Sequence, residues 1–168
     1  MMLPAKLLMW VILAAIIAGN SCSQIYPFNY SEAMKKGGEC YIRGDYESAA
    51  EFYGKALRLA ERKGILTDRL VALGSLARVH SAQGNNELAE SEWKTRVSLS
   101  GESELDVELL AESHVDLIMF YLRTKRCDDA HSLLQQFKEN PNINNSAVFK
   151  ESEDMINAYI NFKGAISN

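Results

Sequence analysis

The chain has 168 residues, of which 47% are hydrophobic and 24% charged, and its formal net charge is −4 at pH 7. This length and composition are typical of one globular domain that can bury a core. The small acidic excess argues against nucleic acid or an anionic membrane surface as the main partner.

The first 21 residues differ in composition from the rest. Lys6 is their only charged side chain, and residues 7–18 are an unbroken apolar run. A membrane-spanning helix needs about 20 apolar residues, whereas the apolar part of a signal peptide needs only about 7–15. We therefore interpret residues 1–21 as an export signal that is removed from the mature protein.

The signal is followed by a cysteine. Gly19-Asn20-Ser21-Cys22 resembles the bacterial lipobox, in which the cysteine is acylated with fatty acids such as palmitate and becomes the mature N-terminus. Gly19 stands where that pattern prefers leucine. Cleavage by ordinary signal peptidase, which accepts small-x-small, and an uncleaved anchor are the alternatives.

The resemblance at Cys22 implies a location and an attachment. It implies a lipoprotein of the bacterial cell envelope, facing the periplasm, with residues 22–29 as a tether. Ser23 after the cysteine favours the outer membrane. A soluble secreted protein is the alternative.

Periodicity and cap residues predict helices along the rest of the chain. Gly64 is placed to end a helix in the left-handed conformation, Thr67 or Asp68 to cap the next one, and Asn140-Pro141 to stop another. The predicted helices cover about residues 29–43, 46–63, 68–83, 86–100, 103–125, 127–139 and 146–163.

One turn sequence recurs three times. Gly44-Asp45, Gly84-Asn85 and Lys125-Arg126 begin 40 and 41 residues apart. Each turn is followed by an alanine and, four residues later, by a large side chain. These pairs are Ala49 with Tyr53, Ala89 with Trp93, and Ala130 with Leu134. A fixed period of this size predicts stacked helical units that bury their apolar faces on one another.

The units resemble tetratricopeptide (TPR) repeats. The first carries Ala33-x2-Lys36-Gly37-x2-Cys40 and then Ala49-x3-Tyr53-x2-Ala56, and the longer period resembles the kinesin light chain type. The resemblance implies an all-α, TPR-like α-solenoid of three helical hairpins and a C-terminal capping helix. Its implied parts, within a domain of residues 30–168, are repeats at about 30–64, 67–101 and 103–140 and a cap at 146–163.

In TPR arrays the first helix of each hairpin lines a concave groove that binds a peptide. The resemblance implies that the groove residues are Met34, Gly38, Tyr41, Ile42, Arg78, Ser81, Val115, Met119, Leu122 and Arg123. Met34 and Gly38 replace the lysine and asparagine of the chaperone-binding clamp, so a chaperone partner is not expected. Burial of part of the set against the last helix or a neighbouring repeat is the alternative.

The sequence offers little for catalysis or metal binding. It contains no P-loop, no HExxH and no CxxC, and His80 and His114 occupy TPR core positions. Cys40 and Cys127 are two repeats apart and are interpreted as small apolar residues. The acidic residues at 102, 104, 106 and 108 are interpreted as a solvated helix start.

These observations predict a non-enzymatic scaffold or adaptor that binds a protein partner of unknown identity without a cofactor. A homodimer that uses the groove or the last helix is the alternative. A hydrolase that depends on His80 or His114 is a remote one.

Overall fold

The computed structural model describes residues 29–101, 107–140, 143 and 146–166, and these ranges are helical without any strand. The expected export signal, Cys22 and most of the tether lie outside the described residues. The helices are α1 (Tyr30–Ile42), α2 (Tyr46–Lys63), α3 (Leu66–Ala82), α4 (Asn86–Gly101), α5 (Val107–Arg123), α6 (Cys127–Lys138) and α7 (Ala147–Ile166). The all-α class predicted from the sequence is confirmed for these ranges.

Side chains cap the first two helices. Asn29 accepts a hydrogen bond from the backbone N–H of Glu32 at 2.8 Å, and Asp45 accepts one from Ser48 at 3.2 Å. Such caps satisfy N–H groups that have no partner inside the helix. They explain why α1 and α2 begin within a residue of the predicted positions.

The start of α3 differs from the prediction. Ile65 is its N-cap, without a side-chain hydrogen bond, so neither Thr67 nor Asp68 caps the helix. Gly64, with φ 67°, ends α2 in the left-handed conformation, and the first helical bond of α3 already runs from Arg69 N–H to Ile65 O at 3.1 Å. The sharp turn at Gly64 leaves no room for a longer connection.

The three recurring turns share one backbone geometry. Their left-handed residues are Gly44 and Gly84, both with φ 78°, and Lys125, with φ 62°. In each turn this residue donates to the carbonyl three positions back, and the next N–H donates five positions back, at 2.8 to 3.2 Å. The same two bonds, both 3.1 Å, form at Gly64 between α2 and α3, so this geometry is a helix ending that the recurring turns share with the turn between them.

The residues predicted to pack at helix crossings are buried. Consecutive helices contact one another, and α7 also contacts α5. A Cβ on Gly37 would lie 2.6 Å from the Tyr53 ring, so α1 and α2 approach too closely there for any side chain on Gly37. The buried members of the repeated pattern are Ala33, Gly37, Cys40, Ala49, Tyr53, Ala56, Ala89, Trp93, Ala130, Leu134 and Phe137.

The last helix closes the C-terminal core. Phe149 and Ile156 are fully buried, and the Phe149 ring packs edge-on against Phe137 with centroids 4.7 Å apart. Met155 of the same helix is 52% exposed. No helix in the described ranges is long and apolar enough to cross a membrane.

Glu108 of α5 holds the start of α7. Its carboxylate accepts hydrogen bonds from Ser146 Oγ at 2.6 Å and from the N–H groups of Ala147 and Val148 at 3.0 and 3.2 Å. These hydrogen bonds hold the pKa of Glu108 below its usual value. A residue expected to serve the start of its own helix thus serves another helix 38 residues later.

Candidate functional site

The predicted groove residues of α1 become more exposed to solvent towards the C-terminal end of the helix. Met34 is half-buried and packs against the N-terminal core. Gly38 is partly accessible, Tyr41 is exposed, and Ile42 is 86% exposed. Of the predicted groove residues on α1, only Tyr41 and Ile42 near its end are therefore exposed to solvent.

The predicted residues of α3 and α5 divide between surface and core. Arg78 and Arg123 are exposed, and Ser81 and Val115 are half-buried. Met119 packs against the C-terminal core, and Leu122 is only 1% exposed. Tyr159 of α7 donates to the Leu122 carbonyl at 3.4 Å, so α7 covers this part of α5. Leu122 thus belongs to the core of the single chain and not to an open groove floor.

A small pocket opens where α1, α2 and α3 meet. Tyr41, Tyr53, Ser75 and Arg78 line it, and its volume is about 60 Å³. Ser75 Oγ donates to the Val71 carbonyl at 3.0 Å, which directs its oxygen lone pairs away from that bond. Two members of the predicted groove set, Tyr41 and Arg78, are therefore brought together here.

The Tyr53 hydroxyl has no hydrogen-bond partner in the part of the chain that the structure describes, although the residue is only 8% exposed. A Cβ on Gly38 would lie 3.6 Å from this hydroxyl, so the absent side chain at Gly38 leaves the approach to it open. Burial raises the pKa of Tyr53, and the nearby charge of Arg78 acts in the opposite direction. At neutral pH the phenol keeps its proton and can donate it.

Arg78 is held by an ionic network. Its Nη2 donates to Asp116 Oδ2 of α5 at 3.3 Å, and its guanidinium lies over the Trp93 ring, 5.8 Å from the centroid. Arg96 Nη1 of α4 donates to the same Asp116 oxygen. One carboxylate therefore fixes two guanidinium groups and ties α3, α4 and α5 together.

Arg96 is the buried member of this network. It is 3% exposed, lies over the Trp93 ring at 5.7 Å from the centroid and reaches Glu112 Oε2 at 3.6 Å. A Cβ on Gly74 would lie 3.4 Å from its guanidinium, so the glycine gives Arg96 its space. Gly74 is therefore buried beneath an arginine.

The histidines lie apart from this pocket's lining. His114 Nδ1 donates to the Leu110 carbonyl at 2.9 Å, and its ring stacks on Phe137. Burial lowers the pKa of His114. His80 Nδ1 lies 2.7 Å from Glu92 Oε2, and burial raises the pKa of Glu92. Within the described ranges no group of three His, Cys, Asp or Glu side chains is placed to bind a metal ion.

Sequence reasoning missed three contributors to the site. Tyr53 was assigned to packing alone, and Ser75 and Asp116 were not selected. The signal for Ser75 was available, because Val71, Ser75 and Arg78 are spaced four and three apart and share one face of α3. The role of Asp116 depends on contact between distant helices, which no local pattern reveals.

Comparison of the chain with protein-family models, with curated proteins and with solved structures gives no match.

Proposed function

We propose that the chain is a non-enzymatic scaffold that binds a segment of a partner protein across α1, α3 and α5. In this proposal α1–α2, α3–α4 and α5–α6 are three TPR-like hairpins of an α-solenoid, and α7 is its cap. The contacts between consecutive helices and the burial of the repeated small and large residues support this arrangement. A solenoid of this kind offers its first helices as a continuous binding face.

One observation carries the binding role. The pocket at Tyr41, Tyr53, Ser75 and Arg78 combines an apolar wall with polar groups. The exposed apolar side chains of Ile42 and Val71 lie on α1 and α3, two of the helices that form the pocket. Concave surfaces with a few convergent polar groups are the usual sites of ligand and peptide recognition. The pocket is small, so it suits one side chain of a longer segment.

The role can be tested with peptides selected on the full chain from a random 12-residue display library. Ile42→Glu combined with Val71→Glu should weaken their binding at least tenfold, because both changes place a carboxylate in an apolar contact. Leu88→Glu makes the same kind of change at an exposed site on α4 and should leave binding intact. Equal loss for both proteins would place the binding surface elsewhere.

The scaffold is proposed to work at the bacterial cell envelope through a lipid on Cys22. Cys22→Ser should then move the protein from the membrane fraction to the soluble fraction. Retention of the variant in membranes would contradict lipid anchoring.

Self-association is the second candidate, favoured by the exposed Met155 on α7. Light scattering of the full chain should then show a dimer that Met155→Glu dissociates. A monomer at all concentrations would remove this candidate.

A further inference from the structure

The Tyr53 hydroxyl is the starting point, because it is a hydrogen-bond donor at the pocket that no described residue uses. Tyrosines whose rings are buried usually pair the hydroxyl with a protein group, whereas this one is left open to solvent or a ligand. Tyr53 is more than nine-tenths buried and lines the pocket, and its hydroxyl bonds to no side chain or backbone group that the structure describes. The pocket therefore provides a donor that a ligand can satisfy.

The other groups around the pocket also favour an acceptor. Arg78 uses one N–H on Asp116 and is otherwise half exposed at the pocket. Tyr41 contributes a second phenol from α1. The negative charge of Asp116 is shared between Arg78 and Arg96, so it does not by itself make the pocket acidic. Glu112 is the other nearby acid, and it lies 3.6 Å from Arg96.

The size of the pocket limits what can enter. Its volume of about 60 Å³ leaves room for one small planar group at the end of a side chain. Guanidinium groups and phenols bind carboxylates with short, charge-assisted hydrogen bonds.

We propose that this pocket binds the carboxylate of an aspartate or glutamate side chain in the partner segment, with Tyr53 and Arg78 as the donors. The inference rests on the proposed scaffold function. The arrangement of Arg78 supports it, because Asp116 and the Trp93 face hold the guanidinium in place before a ligand arrives.

The experiment uses the full chain and peptides selected from the random library, synthesised with amidated C-termini so that side chains supply the only carboxylates. The selected peptides should be enriched in Asp or Glu at one position. Replacing that Glu by Gln should weaken binding about tenfold or more to the natural chain, measured by fluorescence anisotropy. For the protein variant Tyr53→Phe plus Arg78→Gln, the same replacement in the peptide should change binding by less than about twofold.

Tyr121→Phe is the matched control. Tyr121 is also buried, but its hydroxyl already donates to Glu90 at 3.1 Å, outside the pocket. This variant should lose stability and keep its preference for the acidic peptide, whereas Tyr53→Phe should keep stability and weaken the preference.

Two outcomes would overturn the inference. In the first, Ile42→Glu with Val71→Glu abolishes peptide binding, but the selected peptides are not enriched in Asp or Glu. The scaffold function would then stand without the carboxylate site. In the second, replacing the Glu of the peptide by Gln weakens binding equally to the natural chain and to the variant Tyr53→Phe plus Arg78→Gln. Peptide binding that ignores both sets of variants would instead contradict the scaffold function itself.

Discussion

At the scale of single residues, two adjacent glycines of α1 have opposite surroundings. A Cβ on Gly37 would lie 2.6 Å from the buried Tyr53 ring, but one on Gly38 would make an ordinary contact at 3.6 Å. Gly37→Ala should therefore lower the free energy of unfolding by about 1–2 kcal/mol through overpacking. Gly38→Ala should raise it by up to about 1 kcal/mol, because alanine favours the helix.

Urea unfolding of the two variants checks this prediction. The comparison is internally controlled, since both changes add one methyl group to neighbouring positions of the same helix. Equal shifts of the two midpoints would contradict the close approach of Tyr53 to Gly37. Gly38→Ala should also weaken peptide binding, because its methyl group would narrow the approach to the Tyr53 hydroxyl.

The ion pair between the buried Arg96 and the partly exposed Asp116 leads to a second prediction at the residue scale. Asp116→Ala leaves the charge of Arg96 buried beside only the more distant Glu112, and should cost about 3 kcal/mol of unfolding free energy. Arg96→Met removes that charge and keeps most of the volume, so it should change stability by only about 1 kcal/mol. Thermal unfolding distinguishes the two. A larger loss for Arg96→Met would show that the ion pair itself is strongly stabilising.

At the scale of an element, the third recurring turn is strained where the first two are not. Lys125 has φ 62°, in the region that Gly44 and Gly84 occupy without steric cost. Lys125→Gly should therefore raise the free energy of unfolding by about 0.5–1 kcal/mol, and Gly84→Lys should lower it by a similar amount. Chemical denaturation measures both. No gain for Lys125→Gly would mean that the lysine side chain compensates for its backbone.

At the scale of the whole molecule, acid should weaken the contact between α4 and the turn before α6. Burial raises the pKa of Glu90, but hydrogen bonds from Lys94, Arg126 and Tyr121 lower it by more. The net result is a pKa of about 2. Since the folded value lies below the ordinary 4.5, this stabilisation is present above pH 4.5 and is lost as the pH falls towards 2. The loss should amount to about 1–2 kcal/mol after screening by solvent.

Unfolding free energies measured between pH 6 and pH 3 test this contribution. Glu90→Gln should flatten part of the slope. Glu87→Gln removes an exposed carboxylate one turn earlier on the same helix and serves as the control. An unchanged slope for Glu90→Gln would place the acid sensitivity in other groups.

Much of the fold was predictable from the sequence, because it depends on local signals. Glycine turns and asparagine or aspartate caps set the helix bounds, and the alternation of small and large residues identified the buried faces of α1 and α2. The prediction failed at Thr67 and Asp68, where backbone geometry at Gly64 determines the start of α3.

The candidate site was less predictable, because it depends on contacts between helices. Tyr41 and Arg78 were identified by position in the repeat, but Leu122 is covered by α7, and Asp116 acquires its role from arginines on two other helices. The repeat pattern identifies Tyr53 as a packing residue, so it gives no sign that the hydroxyl lacks a hydrogen-bond partner among the described residues.

The start of α1 and the pocket are at opposite ends of the same helix. Tyr30, whose hydroxyl donates to the Asp68 carbonyl at 3.0 Å, begins α1, and Tyr41 lies near its end. Eleven residues of α-helix rise about 16 Å. If the proposed lipid anchor lies ahead of Tyr30, a helix directed away from the bilayer works as a spacer that sets the proposed peptide site clear of the lipid headgroups, where a second protein can reach it.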